Sequence, residues 1–456
     1  MIIESIAYHP HKLQKKPKND FFVEYRLDLY PHPEEADFSV FHENNILCCK
    51  NDPLDPELLK LMMSSKAMID LDVKQLEAFP DTVDPSRLIL SMHLDHYDRD
   101  AILSFLKHPQ AAIYYKLVFE ADTLQELIDT AAMIAEHQDR EIIFNASGKW
   151  ALFQRSFFLY FNSVGFYEAL EEPLYAGQPT HKDLVYTVDA VYGKDSAALL
   201  ILGNDKVSQS GSVIHGNPLL TKMNFNAAYI PIPANDLEEA LQAMDFVATR
   251  VPLLGMAITN PFKHIMAEYF KTGKDVINSI QFSKQKHANN YYHQELDIYV
   301  YPINSDLIAL KESMRELKIL KDHNILIYGS GDCARLFGKR LLQMGYQNIQ
   351  IMGRNKKTVE ELQQSLGIKD DAYPEYHLLI NASGLGQDAD DDISVLPPFK
   401  ALINLPLPQP ESLVEDYAKQ NSIPHIRSTQ FWAKQFVSQL QCFTYQDSVN
   451  SVDRFE

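Results

Sequence analysis

The sequence predicts an α/β protein: an N-terminal, trimmed β/α barrel followed by a two-lobed α/β unit whose last lobe is a doubly wound nucleotide-binding layout. Three observations predict it. Eight β-rich runs alternate with helix-like runs over residues 1–185. A glycine turn, Gly329-Ser330-Gly331, stands between an apolar run and a helix-like run. The chain has 456 residues, room for two to four domains at roughly 100–200 residues each.

The candidate strands of the first part are IIESIA, FFVEYRLD, NILCC, AMIDLD, RLILSM, AIYYKLV, EIIFN and SVGF. Helical periods such as Thr123–Glu136 fall between them, and eight such units predict a closed parallel barrel. The stretch is short for that fold. Between the first two strands YHPHKLQKKPKND is polar and proline-bearing, so a full helix is not expected there. Around Gly177–Lys194 the pattern loosens and reads as a linker. From Asp195 the alternation resumes, with AALLILG, AAYIPIP and LLGMAIT as strands. A further boundary follows the helix-like DLIALKESMRELKI, after which NILIYGSGDCARLFGKRLLQMG gives strand, turn and helix. NIQIMGRN, YHLLINAS and ALINLPL follow as strands. The expected division is 1–185, 195–310, 311–430, and a returning helix with a tail at 431–456.

Charge narrows the function classes. Lys+Arg number 42 against 61 Asp+Glu, a formal net charge of −19. That argues against a nucleic-acid duplex or an anionic lipid surface as main partner, while leaving room for local basic pockets. The four cysteines, Cys48, Cys49, Cys333 and Cys442, have no spacing that suits zinc or a secreted disulfide framework. No metal is expected, and a reducing cytoplasm is the expected location. No apolar run reaches membrane-spanning length, and the N-terminus does not read as a signal peptide.

Polar residues inside the barrel strands carry the chemistry. In Glu24-Tyr25-Arg26-Leu27-Asp28 the three charges alternate, so on a strand they share one face. They lie either on an exposed edge or at the barrel mouth, where they would bind a polar ligand. Lys116 interrupts the apolar run AAIYYKLVF. Desolvation there is expected to lower its pKa and make it a nucleophile toward a carbonyl; the alternative is a lysine snorkelling from a strand end. His93 directly follows RLILSM, at the strand end where barrel enzymes place proton-transfer groups.

These residues in this order resemble type I 3-dehydroquinate dehydratase, through EYRLD, LSMH, the YYK strand, Arg155 in FQRSF, and YAGQP with Gln178. The resemblance covers about residues 1–185. It implies that Lys116 forms a Schiff base with the substrate ketone and that His93 moves the α-proton to the departing hydroxyl. It implies that Glu24 and Arg26 hold substrate hydroxyls, and that Arg155 with Gln178 hold the end bearing the carboxylate. Asp70 matches an acidic position at a strand end. The chain departs from the family at Lys50, where a strand ends in arginine and a Glu-Gly-Gly turn follows; here NDPLD follows. The glutamate that orients the histidine is therefore missing or supplied elsewhere. Leu174 stands where a small residue is expected.

In the second part, Ser208-Gln209-Ser210 offers paired hydroxyls to a small carboxylate. Lys263 begins a helix after GMAITNPF, and Asp306 sits in Asn304-Ser305-Asp306. Brought together, Lys263 and Asp306 would make a charge-coupled proton-transfer pair; the alternative is that Ser305 or Asp306 simply caps the helix DLIALKESM. Gly329, Ser330, Gly331, Asp332, Cys333 and Ala334 form the turn on which a pyrophosphate can sit. After the next strand, Gly353-Arg354-Asn355-Lys356-Lys357 is basic, which suits a 2′-phosphate, or is a solvated turn.

Together with SQSGSVIHGNPL, VINSIQF, LLINASGLG and the terminal FWAKQFVSQL, these pieces resemble shikimate dehydrogenase across about residues 195–445. The resemblance implies a Rossmann lobe, Lys263 and Asp306 as catalytic pair, and Ser208, Ser210, Thr259, Asn278 and Gln435 holding shikimate. It assigns the glycine turn from Gly329 to Ala334, with Arg354, Asn355 and Lys356, to NADP. Ala257 and Leu307 replace an asparagine and a glycine of the family. The joined halves resemble the fused dehydratase–dehydrogenase. The implied function is dehydration of 3-dehydroquinate to 3-dehydroshikimate, then NADPH-dependent reduction to shikimate, with small-molecule substrates as partners and neither nucleic acid nor membrane. The alternatives are an active dehydrogenase half alone, or a non-enzymatic quinate/shikimate sensor.

Overall fold

The structure, a computed structural model, describes residues 1–7, 21–79, 83–170, 172–175, 177–193, 197–286, 290–294, 297–369, 373–406 and 412–444. The stretch 8–20, where a full helix was not expected, lies outside these residues, as do Asp195 and the tail after 444. The chain forms two compact units, Met1–Leu253 and Leu254–Glu456. Among the described residues no helix is long and apolar enough to cross a membrane.

In the first unit, β1 (Ile2–Ala7), β2 (Phe21–Arg26), β3 (Asn45–Cys48), β4 (Met68–Asp72), β5 (Leu88–Leu94), β6 (Tyr114–Glu120), β7 (Ile142–Ser147) and β8 (Phe166–Ala169) make one sheet. Its order is β7-β6-β5-β4-β3-β2-β1-β8, and the paired strands are parallel. Seven of the eight expected strands are present, while the eighth, SVGF, is displaced: only its Phe166 lies in β8, which runs on to Ala169. A parallel strand covered on both faces must be apolar on both, and Asn45–Cys48 and Leu88–Met92 are buried throughout. The sheet curls into a nearly closed barrel. Among the described residues β7 and β8 share no ladder, and side chains bridge the gap. Asn145 Oδ1 accepts from Tyr167 N at 3.0 Å, while Arg155 donates to Tyr167 O at 2.7 Å and to Ala146 O at 2.6 Å.

The connecting helices are α1 (Pro56–Ser64), α2 (Val73–Ala78), α3 (Arg99–Leu106), α4 (Leu124–Ala135), α5 (Ala151–Ser156) and α6 (His181–Tyr192). Asp55, Asp72 and Asp98 cap the first three, and Thr123 with Glu126 forms a capping box on α4. The barrel is trimmed as expected: β2 reaches β3 through short 3-10 turns, and α2 and α5 have only six residues each.

Two local expectations are corrected. The strand FFVEYRLD stops at Arg26, and Asp28 lies in a 3-10 turn, Leu27–Leu29. The bidentate pair that Asp28 makes with Arg26, at 2.9 and 2.6 Å, turns the chain out of the sheet. The linker expected at Gly177–Lys194 is largely α6. Thr180 and Asp183 box its start, and Ser156 of α5 donates to Thr187 at 2.7 Å.

Beyond α6 the first unit continues with β9 (Ala198–Gly203), α7 (Asn217–Lys222), β10 (Ala228–Pro233) and α8 (Leu237–Ala248), β9 and β10 being parallel. The barrel packs directly on α8. Phe246 stacks on Phe161 at 5.0 Å between centroids and meets Phe153 and Phe157. Glu239 of α8 accepts from Leu124 N at 2.8 Å, at the first residue of α4. The expected lobe 195–310 accordingly contributes to both compact units.

The second unit opens with β11 (Leu253–Ile258), α9 (Phe262–Tyr269), β12 (Ser279–Ser283), β13 (Tyr291–His293), β14 (Ile298–Ile303) and α10 (Ser305–Glu316). Here β12 is antiparallel to β11 and β14, and β13 to β14. Then come β15 (Ile325–Tyr328), α11 (Asp332–Gln343), β16 (Ile349–Met352), α12 (Lys356–Leu366), β17 (Leu378–Asn381), β18 (Leu402–Asn404), α13 (Leu413–Gln420) and β19 (His425–Ile426). They form a parallel sheet in the order β16-β15-β17-β18-β19 around Ile325, Ile327, Phe337, Leu341, Ile351 and Ile380. This is the expected doubly wound lobe. The last helix, α14 (Ser428–Thr444), returns to α10 and β12: Gln439 donates to Ser279 Oγ at 2.9 Å and to Ser305 Oγ at 3.2 Å.

Candidate active sites

A cavity of about 340 Å³ opens at the C-terminal end of the barrel strands. It is lined by Ser5, Glu24 and Arg26 from β1 and β2, and by Lys50 after β3. His93, Lys116, Val118, Asn145 and Tyr167 come from β5 to β8, and Leu174, Tyr175 and Gln178 follow β8. The alternation along each strand turns these positions inward. A shallower recess of about 220 Å³ shares Lys50 and His93 and adds Asp52, Asp72, Lys74 and Gln75.

Lys116 lies at the centre. Its Nζ is 2.7 Å from Asp70 Oδ2, 2.9 Å from Glu24 Oε1 and 3.7 Å from the centroid of the Tyr167 ring. All three charged groups are buried. Burial by itself lowers an ammonium pKa, the effect expected from the sequence. Here Asp70 and then Glu24 outweigh burial and raise the Lys116 pKa well above the ordinary lysine value. The expectation of a lowered pKa is therefore corrected: resting Lys116 is an ammonium, unreactive until it gives up a proton. Against its own burial, Asp70 is held well below the usual carboxylate range by Lys116 and by Lys50, whose Nζ is 3.5 Å away. Glu24, Cys48 and Asp70 stand close enough to ligate a cation, but the Lys116 ammonium, with Lys50 beside Asp70, already balances the two carboxylates.

His93 stands at the mouth with 35 % of its side chain accessible, its Nδ1 3.2 Å from Asp72 Oδ2. Partial burial and then Lys50 push its pKa down, to about 4, against the pull of Asp72. The ring is neutral at pH 7 and able to accept a proton. Gln178 lines the cavity, its Oε1 accepting from Leu174 N at 2.8 Å. Arg155 is placed differently from its expected partners. It is fully buried and does not line the cavity, and its donors reach Tyr167 O, Ala146 O and Ala151 O. Its remaining contact, Nη2 to the Tyr175 hydroxyl at 3.2 Å, is its link to the cavity wall.

Ser5, Asn145, Tyr167 and Tyr175 line the cavity without having been expected from the sequence, and Asp72 approaches His93 unannounced. A signal existed for two of them. Asn145 in IIFNAS and Asp72 two places after Asp70 are polar residues in buried apolar runs, the same signal that marked Lys116. The Tyr167 hydroxyl and Asn145 Nδ2 are buried with no hydrogen-bond partner among the described residues.

In the second unit, Thr259 follows β11, and Lys263 lies in the first turn of α9. Asn304 caps α10, its side chain accepting from Leu307 N at 3.3 Å. The cap expected at Ser305 or Asp306 is therefore Asn304, which leaves Asp306 free to meet Lys263. Lys263 Nζ lies 3.0 Å from Asp306 Oδ2, and the other Asp306 oxygen accepts from Gln435 Nε2 of α14. Burial lowers the Lys263 pKa, but Asp306 raises it more, and the net shift is upward. Cys333 Sγ, at the start of α11, is 4.0 Å from Asp306 Oδ2, the oxygen that meets Lys263, so the glycine turn opens beside the pair. Asn278 holds α10 in place, with Nδ2 donating to Ser305 Oγ at 2.9 Å and Oδ1 accepting from Ser305 N at 2.8 Å. In the first unit, Ser208 and Ser210 lie in the turn after β9, and Ser210 Oγ is buried without a partner among the described residues.

The glycine turn has a physical requirement at Gly329. Its φ is +139°, and a Cβ there would lie 2.5 Å from Ala382 O. A Cβ at Gly331 would meet nothing within 4 Å, and Gly331 caps α11 without a side-chain bond, leaving the first N–H groups of the helix open to an anion. Arg354, Asn355 and Lys356 follow β16 and are exposed, Asn355 capping α12 through Thr358 N at 3.3 Å.

No family model matches the chain. It is 25 % identical over 167 residues to the shikimate dehydrogenase (NADP(+)) of Caldicellulosiruptor saccharolyticus, a match covering 36 % of this chain and 57 % of that protein. The chain thus spans little more than half the length of that relative. With the Chlamydia pneumoniae shikimate biosynthesis protein AroDE it shares 23 % identity over 328 residues, 70 % of this chain and 65 % of the other. Among solved structures, the dehydroquinate dehydratase and shikimate dehydrogenase of S. pombe AroM covers 93 % of this chain with 90 % of its own, at 14 % identity and a TM-score of 0.42.

Proposed function

We propose that the chain is a bifunctional enzyme of aromatic-precursor synthesis. Its barrel, residues 1–185, dehydrates 3-dehydroquinate to 3-dehydroshikimate through an imine on Lys116. Residues 195–310, 311–430 and the returning helix from 431 reduce that product to shikimate with NADPH. The observation that carries this reading is the meeting of Lys116, His93, Glu24, Arg26 and Gln178 in one cavity. The relatives named as a shikimate dehydrogenase (NADP(+)) and as AroDE support the reductase half.

In the barrel, Lys116 passes one proton to Glu24 as substrate arrives, and the free amine attacks the ketone carbon. The ketone oxygen leaves as water and the imine forms. Neutral His93 takes the proton α to it, then returns that proton to the departing hydroxyl, which leaves as a second water. Water hydrolyses the imine, restoring Lys116. Glu24 and Arg26 orient the substrate hydroxyls and Gln178 the carboxylate end. Arg155 supports that end through Tyr175.

In the reductase half, Asp306 keeps Lys263 charged, and Lys263 gives its proton to the ketone oxygen as that oxygen becomes a hydroxyl. Gln435 and Asn278 hold Asp306 and the start of α10 in position, and with Thr259 they are assigned to substrate. Ser208 and Ser210 are assigned to a substrate carboxylate. The open space at Gly331 and the uncapped start of α11 fit a pyrophosphate, and Arg354 with Lys356 fits a 2′-phosphate. NADPH, when bound there, supplies the hydride. Arg354→Ala is expected to raise the KM for NADPH about 10–100-fold, the loss of a charge-assisted bond of about 1.5–3 kcal/mol, and to leave the NADH value unchanged. Steady-state kinetics with both cofactors check this; an equal effect on the two would refute the phosphate clamp.

A coupled assay tests the whole reading. With 3-dehydroquinate and NADPH, shikimate should appear as NADPH is consumed. Binding of either ligand without turnover would favour the sensor instead.

A further inference from the structure

We propose that Asp72 is the positioning residue for His93: its carboxylate accepts the Nδ1–H and fixes the tautomer that leaves Nε2 free to take a proton. The inference rests on the dehydratase reading of the barrel cavity and names a residue that the resemblance does not.

The geometry is built from adjacent strands. Asp72 of β4 pairs in register with Ser91 of β5, and His93 is the next residue of β5 on the same face. Asp72 Oδ2 lies 3.2 Å from His93 Nδ1. The carboxylate is held from its other side. Oδ1 accepts from Lys74 N at 3.1 Å, and the Asp72 N–H donates to Gln75 Oε1 at 3.0 Å. Gln75 in turn donates to Cys49 O and Asn51 O, both at 2.8 Å, the two carbonyls that flank Lys50. Capping α2 needs only one carboxylate oxygen, and the second is turned to the imidazole. One buried glutamine thus locks both the partner of His93 and the loop that carries Lys50. A neutral imidazole has a single N–H, so the hydrogen bond at Nδ1 decides that Nε2 is the basic nitrogen.

Asp72→Asn in the full chain is a clean test, because asparagine caps a helix as well as aspartate. The charges facing His93 are Asp70 and Asp72 on β4, Lys50 after β3 and Lys116 on β6, with Asp52 and Lys74 lining the neighbouring recess. Asp72 stabilises the imidazolium, so its loss should move the acid limb of the dehydration profile to lower pH. Turnover should fall about 10–100-fold with KM little changed, and Asp72→Glu should recover part of it. Nitrogen-15 NMR of the His93 ring at neutral pH should show Nδ1 protonated in the wild type and that preference lost in Asp72→Asn. A wild-type ring protonated at Nε2, or a tautomer unchanged by the substitution, overturns the proposal. So does an active wild type whose Asp72→Asn variant keeps the same kcat and acid limb. If the wild type does not dehydrate the substrate, the dehydratase reading fails by itself, and the NMR result still decides the role of Asp72.

Discussion

Lys116→Arg is expected to abolish dehydration while leaving the reduction of 3-dehydroshikimate intact. Arginine keeps a cation between Glu24 and Asp70, so the buried pair stays neutralised. Removing the charge outright would take away the cation that Glu24 and Asp70 share, leaving Lys50 beside Asp70, at a cost of about 3–5 kcal/mol, and would confuse loss of folding with loss of chemistry. A guanidinium stays protonated and forms no imine under these conditions. The expected loss is on the order of 10⁴–10⁶-fold in turnover, the range found when a covalent nucleophile is removed. Thermal unfolding of the variant near the wild-type midpoint would show that the barrel survives. Dehydration persisting at more than a few per cent would remove Lys116 from the reaction.

Lys263→Ala is the complementary experiment. The ammonium sits 3.0 Å from Asp306 and is the proton donor assigned to the ketone oxygen. Its loss should slow the reduction by about 10²–10⁴-fold, the usual contribution of a positioned acid. NADPH binding, measured by nicotinamide fluorescence, should be unchanged, because the glycine turn and the basic residues after β16 are untouched. Asp306 keeps its bond from Gln435, so the first turn of α10 has no reason to move. Dehydration in the barrel should proceed at the wild-type rate. Reduction that survives the change would mean that another group supplies the proton.

The sequence made the strands legible because burial on both faces demands apolar runs, and it made Lys116 and His93 legible because they break those runs. The charge state of Lys116 was not legible. It depends on Asp70, 46 residues earlier, and on Glu24, 92 residues earlier, which only the parallel register brings beside it. For the same reason the partner of His93 was missed: Asp72 and His93 meet across two strands and not along one. Arg155 carried a matching motif, but the motif could not show that its guanidinium closes the gap between β7 and β8. The helix α6 was hidden because polar and aromatic residues blur its period, although the box at Thr180 and Asp183 marks its start. Lys263 and Asp306 were legible as a pair through the ordered motifs around them; the residues alone left a cap at Ser305 or Asp306 equally open, and the structure gives that cap to Asn304.

The central claim is that the barrel works through a covalent imine, and borohydride trapping tests it most directly. The full chain, incubated with 3-dehydroquinate and borohydride and then digested, should yield a substrate-derived mass on the peptide containing Lys116 and on no other lysine. Steady dehydration with no such adduct, or an adduct on Lys50 in its place, would contradict the account.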